Sequence, residues 1–449
     1  MPRPYTSNRV NITPAVQSGD IVGRIVREKE PQRGRPGSHI RYSPRTKVAI
    51  CSMTRIPSTL APILLVGILA CGDGPTGPGL DPEASVSLGA YHACALSPDG
   101  RTTCWGVNSD GQVGTGAIGN AESPVPLLGD VQFVSLTMGF AHSCGLTSDG
   151  SAYCWGSNGG GRLGNSSVGV ALEPMPVSGG IAFGQISAGG AHTCGVTDGS
   201  VAYCWGSNGD GQLGLRGLGP NCSGTCAATP TIVDAGFPVS HIAAGNAHTC
   251  ALTPDGVAYC WGRNFDGQLG NGTLIDSPLP VLVRGGLQFA GLDAGGNHTC
   301  GLLVDGSVFC WGRNSSGQLG SPTGEACALT GALCSNIPIA VDTDRRFVTI
   351  SAGGSHTCAI ADTGTSHCWG RNHEGQIGNG EVFDVPVPQQ VLGGLTLQSL
   401  SAGAAHTCGV STDAEVYCWG DNFRKQIEAG TNAFRYTTPE FILSIADIS

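Results

Sequence analysis

Lysine is almost missing from most of this chain: after residue 70 the only one is Lys425. Residues 71–449 carry 12 basic and 30 acidic side chains, a net charge of −18. Such a surface repels a phosphate backbone, which excludes nucleic acid as a partner. Charged residues are only 12% of the chain and aromatic residues 6%, a balance that excludes a helical bundle. Long hydrophobic runs are missing too, for the longest apolar stretch, Leu60 to Ala70, falls short of the ~20 residues a membrane span needs. There is no nucleophile elbow, no phosphate-cradling loop and no Cys-x-x-Cys-His haem attachment. No catalytic residue and no cofactor is therefore assigned.

Glycine, proline and cysteine are abundant instead, at 72, 27 and 20 residues. The first two suit many short strands joined by tight turns. Eighteen of the cysteines follow residue 90 at regular spacing, and so many thiols are expected to oxidise outside the cytosol. The amino end agrees with export. Residues 1–52 are basic, rich in Pro and Gly and without apolar periodicity, as in a disordered or non-native extension. Residues 53–71 have a short basic start, the apolar run and then Cys71, within Ile68-Leu69-Ala70-Cys71. That string resembles a bacterial lipoprotein processing site, which implies lipidation of Cys71 and an anchor at the cell envelope; cleavage nearby by ordinary signal peptidase would instead release a secreted protein. Residues 72–84 read as a Gly/Pro linker.

From 85 to 449 one unit is written seven times. His-x-Cys recurs at His92, His142, His192, His248, His298, His356 and His406, and a Cys-Trp-Gly follows ten residues after each Cys. Steps between copies are 50, 50, 56, 50, 58 and 50 residues, a period that belongs to propeller blades. Within a copy, the run at Cys250, the turn Pro254-Asp255-Gly256 and the run Val257 to Cys260 predict a hairpin. A strand like Val348 to Ser351 precedes it, and an edge strand like Pro278 to Val281 follows. The fold expected is all-β: a seven-bladed propeller of four short strands per blade.

Gly245-Asn-Ala-His248-Thr-Cys-Ala-Leu252, Trp261-Gly-Arg-Asn264 and Gly267-Gln-Leu-Gly270 recur in register, and this pattern resembles the regulator-of-chromosome-condensation repeat family. Two departures stand out. The last copy reads Arg424-Lys-Gln-Ile-Glu428 in place of the Gly-Gln-Leu-Gly segment, and every copy carries two cysteines that cytosolic members generally lack. The resemblance implies nucleotide exchange on small GTPases, ultraviolet-B reception or secreted enzyme inhibition, and a structural role for the histidine, bonded to backbone inside its blade.

Each cysteine pair sits symmetrically about its hairpin turn, and opposed residues of an antiparallel pair lie within disulfide reach. The pairs are Cys94–Cys104, Cys144–Cys154, Cys194–Cys204, Cys250–Cys260, Cys300–Cys310, Cys358–Cys368 and Cys408–Cys418. A rival reading makes His-x-Cys and the second Cys three zinc ligands per copy; export favours oxidation, and no metal is assigned. Two further pairs, Cys222–Cys226 and Cys327–Cys334, fall in the two insertions and staple loops on one face. Arg263, Arg313 and Arg371 hold matching positions after Trp-Gly in three copies, as a candidate binding face for an anionic ligand or as solvated surface.

The leading expectation is a non-catalytic, monomeric scaffold that binds a protein or cell-surface ligand through its loops, touching membrane only by the lipid anchor. One alternative is a guanine-nucleotide exchange factor-like regulator, as the resemblance implies, although an exported protein would not meet a cytosolic GTPase. The other is a propeller hydrolase of surface glycans, which needs a funnel lined by clustered acids or arginines.

Overall fold

A tight turn folds two short, almost wholly buried runs of each copy into a hairpin, and the computed structural model arranges seven such copies as seven separate antiparallel sheets. It describes residues 83–448 apart from 167–168, 217–224, 323–324, 328–329 and 428–432. Cys71 and the segments 1–52, 53–71 and most of 72–84 lie outside the described residues. The fourth blade shows the plan, with strands His241–Ala244, His248–Leu252, Ala258–Gly262 and Ser277–Leu282 paired in sequence order. Gly256 closes its hairpin at φ +81°, where an added Cβ would also meet the Phe289 carbonyl at 2.7 Å; glycine takes this φ without strain, whereas the third and seventh blades put Ser200 and Ala414 there at φ 61° and 59°. Pro278 is confined to the outermost strand, where no further strand needs its missing N–H. The fifth blade adds a two-residue strand, Glu325–Ala326, within its insertion.

The cysteines oppose one another in register in all seven hairpins, and all seven disulfides are present with Cα–Cα distances of 4.0–4.1 Å. These sulfurs are completely buried. Every tryptophan is completely buried as well, and each packs on the preceding blade: Trp261 joins Cys194, Val196 and Leu213 of the third.

The histidine does something other than the expected bond inside its own blade. His92, His142, His192, His248, His298 and His356 each place Nε2 2.9 Å from a hydroxyl of the next blade, on Ser143, Thr193, Thr249, Thr299, Thr357 and Thr407. That hydroxyl donates to a backbone carbonyl in the long loop of the histidine's own blade, as Thr249 does to Gln212 and Thr299 to Gln268. Because the hydroxyl proton is committed, Nε2 is the protonated nitrogen and Nδ1 keeps a bare lone pair. The same carbonyl accepts the next blade's tryptophan Nε1 at 2.9–3.0 Å. A single copy cannot show this joint, since its two halves belong to neighbouring copies.

The chain's last strand, Arg435–Ser444, completes the seventh blade rather than pairing with the first. Each blade is thus one continuous stretch, and the ring closes by packing. At this seam Trp105 Nε1 donates to the Gln426 carbonyl at 3.0 Å and the Leu88 N–H to Ser401 Oγ at 3.1 Å. Val86 and Ala95 meet Val410, Val416, Ile427 and Ile445 there. Over 424–427 the departure keeps the pattern, because Lys425 takes a positive φ of 60° where the other copies use glycine, and Gln426 keeps its place, while Glu428 lies outside the described residues. The seam does lack one element: Ala93 stands where the other joints have Ser or Thr, and both ring nitrogens of His406 are buried without a partner.

Candidate binding face

A four-stranded meander sends its connections alternately to two ends. The turn between the first and second strands and the long connection between the third and fourth lie on one face, the loop face. The hairpin turns and the blade-to-blade connections lie on the other, the turn face.

The turn face is repetitive and acidic. One exposed aspartate stands in every hairpin turn: Asp99, Asp149, Asp198, Asp255, Asp305, Asp362 and Asp413. Several stabilise the turn itself, as Asp255 does by accepting from Thr253 Oγ1 at 2.5 Å and Asp149 from the Ser151 N–H at 3.0 Å. Hydrogen bonds from Arg101 and Ser97 hold the Asp99 carboxyl down to about 2. Only four of the 12 basic residues beyond 70 lie on this face: Arg101, Arg284, Arg345 and Arg346.

The loop face holds the other eight. At its centre a cavity of about 310 Å³ opens on the axis, lined by strand ends and first turns from all seven blades. Its walls are glycine and alanine with Leu88, Met138, Phe140, Asn246, Asn297 and Ser355, and no lining residue is an acid or an arginine. Around this mouth lies a second ring, each member tied by its N–H to the carbonyl of a first turn. Arg263, Arg313 and Arg371 occupy it in three consecutive blades, bonded to Ala247, Asn297 and Ser355 at 2.9–3.0 Å. The equal spacing in sequence therefore becomes one cationic arc. Arg263 is half-buried against the Phe265 ring at 5.1 Å, Arg313 Nε donates to Ser315 Oγ at 3.1 Å, and Arg371 is exposed. None of the three guanidinium groups joins a salt bridge among the described residues.

Across the mouth, blades seven, one and two carry an aromatic arc that the repeat pattern did not reveal. Phe423 packs on Phe434 at 5.9 Å, the neighbouring Arg424 stacks over Tyr91 at 4.5 Å, and Tyr91 meets Phe140 edge-on at 5.7 Å. Phe423, Phe434 and Phe140 are 68%, 67% and 51% exposed. The signal lay in the exceptions: Tyr91 and Phe140 are the only aromatics in the seven first turns, where other copies have small or polar residues.

The insertions also reach this face. Cys327 and Cys334 form a disulfide with Cα atoms 5.7 Å apart, and Thr330 Oγ1 donates to Asp266 of the fourth blade's loop at 3.1 Å. Cys226 is disulfide-bonded, while Cys222 lies outside the described residues.

Residues 75–325 match the RCC1-like domain family, and residues 305–360 and 363–410 match the Regulator of chromosome condensation (RCC1) repeat. The chain belongs to the RCC1-like family. Among RCC1-like structures it is similar to Prp20p of Saccharomyces cerevisiae, with a TM-score of 0.67 and 21% identity over 80% of this chain and 88% of that one. Prp20p was described with its binding to Gsp1p and histones. Human WBSCR16 gives a TM-score of 0.65 and 22% identity, covering 74% and 87%. At this identity the likeness shows the fold alone. The Ultraviolet-B receptor UVR8 of Arabidopsis thaliana is 32% identical over 151 residues, 34% of this chain but only 22% of the receptor.

Proposed function

We propose that this chain is a non-catalytic binding scaffold exported from the cytosol, which presents its loop face to a protein partner at the cell envelope. The observation that carries the reading is the division of labour in the fold. Interior residues repeat in all seven blades, whereas the arginines and the exposed aromatics of the loop face are confined to some blades and gather around one mouth. Function in such folds resides in grafted loops rather than in the scaffold. Arg, Phe and Tyr are the residue types enriched where proteins meet.

Export is supported by the seven hairpin disulfides, which a reducing cytosol would not sustain. The same chemistry weighs against an exchange factor acting on a cytosolic GTPase. An axial mouth without acids or arginines weighs against a glycan hydrolase. Cys71 is proposed as the lipid-carrying residue.

Photo-reactive side chains placed at Phe140 and Phe423 in cells, and for comparison at Asp149 and Asp255, test the reading. Discrete cross-linked products are expected from the loop-face pair, and products from the turn-face pair alone would overturn it. Radiolabelled palmitate is expected on the wild-type chain and not on Cys71→Ala.

A further inference from the structure

The loop face is not uniform, and the way it is divided narrows what it fits. Arg263, Arg313 and Arg371 lie in blades four to six, and the chain of contacts from Phe434 through Phe423, Arg424 and Tyr91 to Phe140 lies in blades seven, one and two. In a ring of seven the middles of these arcs, at Arg313 in blade five and Tyr91 in blade one, face each other across the glycine- and alanine-rich mouth, while their ends adjoin where blade six meets blade seven.

Resting on the reading that this face binds a partner, we propose that its occupant is an acidic polypeptide segment that also carries an aromatic or aliphatic side chain. Its carboxylates are held by the arginine arc, and its apolar side chain by the aromatic arc. A guanidinium suits a carboxylate because it presents paired donors in a fixed plane. The aromatic arc exposes its phenylalanines by half to two-thirds and offers apolar area at little entropic cost. A small anion would engage the guanidinium groups alone, so an occupant using both arcs has to be a chain that carries acidic and apolar side chains together. The loop-face connections hold acids of their own, among them Asp266, Glu374 and Asp421, but with eight of the 12 basic residues beyond 70 this face repels such a segment less than the turn face does with its seven hairpin aspartates.

The test uses the full oxidised chain and defined polymers: a random copolymer of glutamate and tyrosine, polyglutamate, and polygalacturonate as an anionic glycan. The copolymer is expected to bind more tightly than either of the others. Its affinity is expected to fall about tenfold, ~1.4 kcal/mol, in R263S/R313S/R371S and again in F423S/F434S, and to stay unchanged in D149S/D255S. Thermal melting of each variant checks that its ring is intact. Equal binding of the triple arginine variant, or tighter binding of polygalacturonate, overturns the proposal. If no polymer binds while loop-face cross-links persist in cells, the polypeptide chemistry fails and the scaffold reading stands; loss of both would remove the scaffold reading as well.

Discussion

The joints between blades and the loops of one face follow opposite rules. At six joints the same histidine, hydroxyl and carbonyl recur with 2.9 Å contacts, whereas the second ring of the loop face reads Val107, Ser157, Ser207, Arg263, Arg313, Arg371 and Asp421. Repetition marks what every blade needs in order to stand against its neighbour. Deviation on an exposed face marks what is free to be used. The seam shows that the rule has an exception inside the ring as well, for there Ala93 removes the hydroxyl and leaves His406 unpartnered.

Breaking the joints by acid should have the largest effect. Burial holds His92, His192, His248 and His356 down to about 3, His298 and His406 to about 4, and His142 well below its ordinary value. An unfolded histidine takes up its proton near 6.5. The unfolded chain therefore binds more protons below that pH, so this contribution to stability is full above 6.5 and is lost as pH falls toward 4. Each histidine costs on the order of 1 kcal/mol per pH unit in that window, and a domain typically holds about 5–15 kcal/mol. Denaturant melts by tryptophan fluorescence from pH 7 to pH 4 are expected to show a steep collapse. A flat profile would mean that the joints are wet.

A single clasp should matter next. Removing one hairpin disulfide in Cys250→Ala/Cys260→Ala is expected to cost about 3 kcal/mol in urea unfolding, since the closed loop spans about eleven residues. One ordinary joint comes after that. Thr299→Val leaves His248 Nε2 without its acceptor, a loss of about 1–3 kcal/mol, measured the same way. The smallest effect sharpens the comparison at the seam: Ala93→Thr restores the missing hydroxyl between His406 and the Gln426 carbonyl and is expected to gain about 1 kcal/mol.

How much of this was legible in the sequence depended on distance along the chain. The hairpin clasps were, because Cys250 and Cys260 are counted off a single turn. The ring of seven was, because the unit is written seven times. The role of His248 was not, since its partner Thr299 lies 51 residues on and in another sheet; the expected backbone bond inside one blade gave way to a contact between two. A trace of it was present in the residue after each histidine, Ser or Thr in six copies and Ala93 in the first. Arg263, Arg313 and Arg371 were found as a repeated position, but only closure of the ring made them an arc. Tyr91, Phe140, Phe423 and Phe434 escaped notice because a search for what recurs passes over what does not.

Stability resides in the repeated joints, and the proposed binding in the unrepeated loop face. The most direct test of this division sets Thr299→Val beside F423S/F434S, with melting temperature and loop-face cross-linking, from a photo-reactive side chain at Phe140, measured on both. The first variant is expected to melt earlier with cross-linking intact, and the second to melt as wild type with cross-linking lost. Variants that move both quantities together would contradict it.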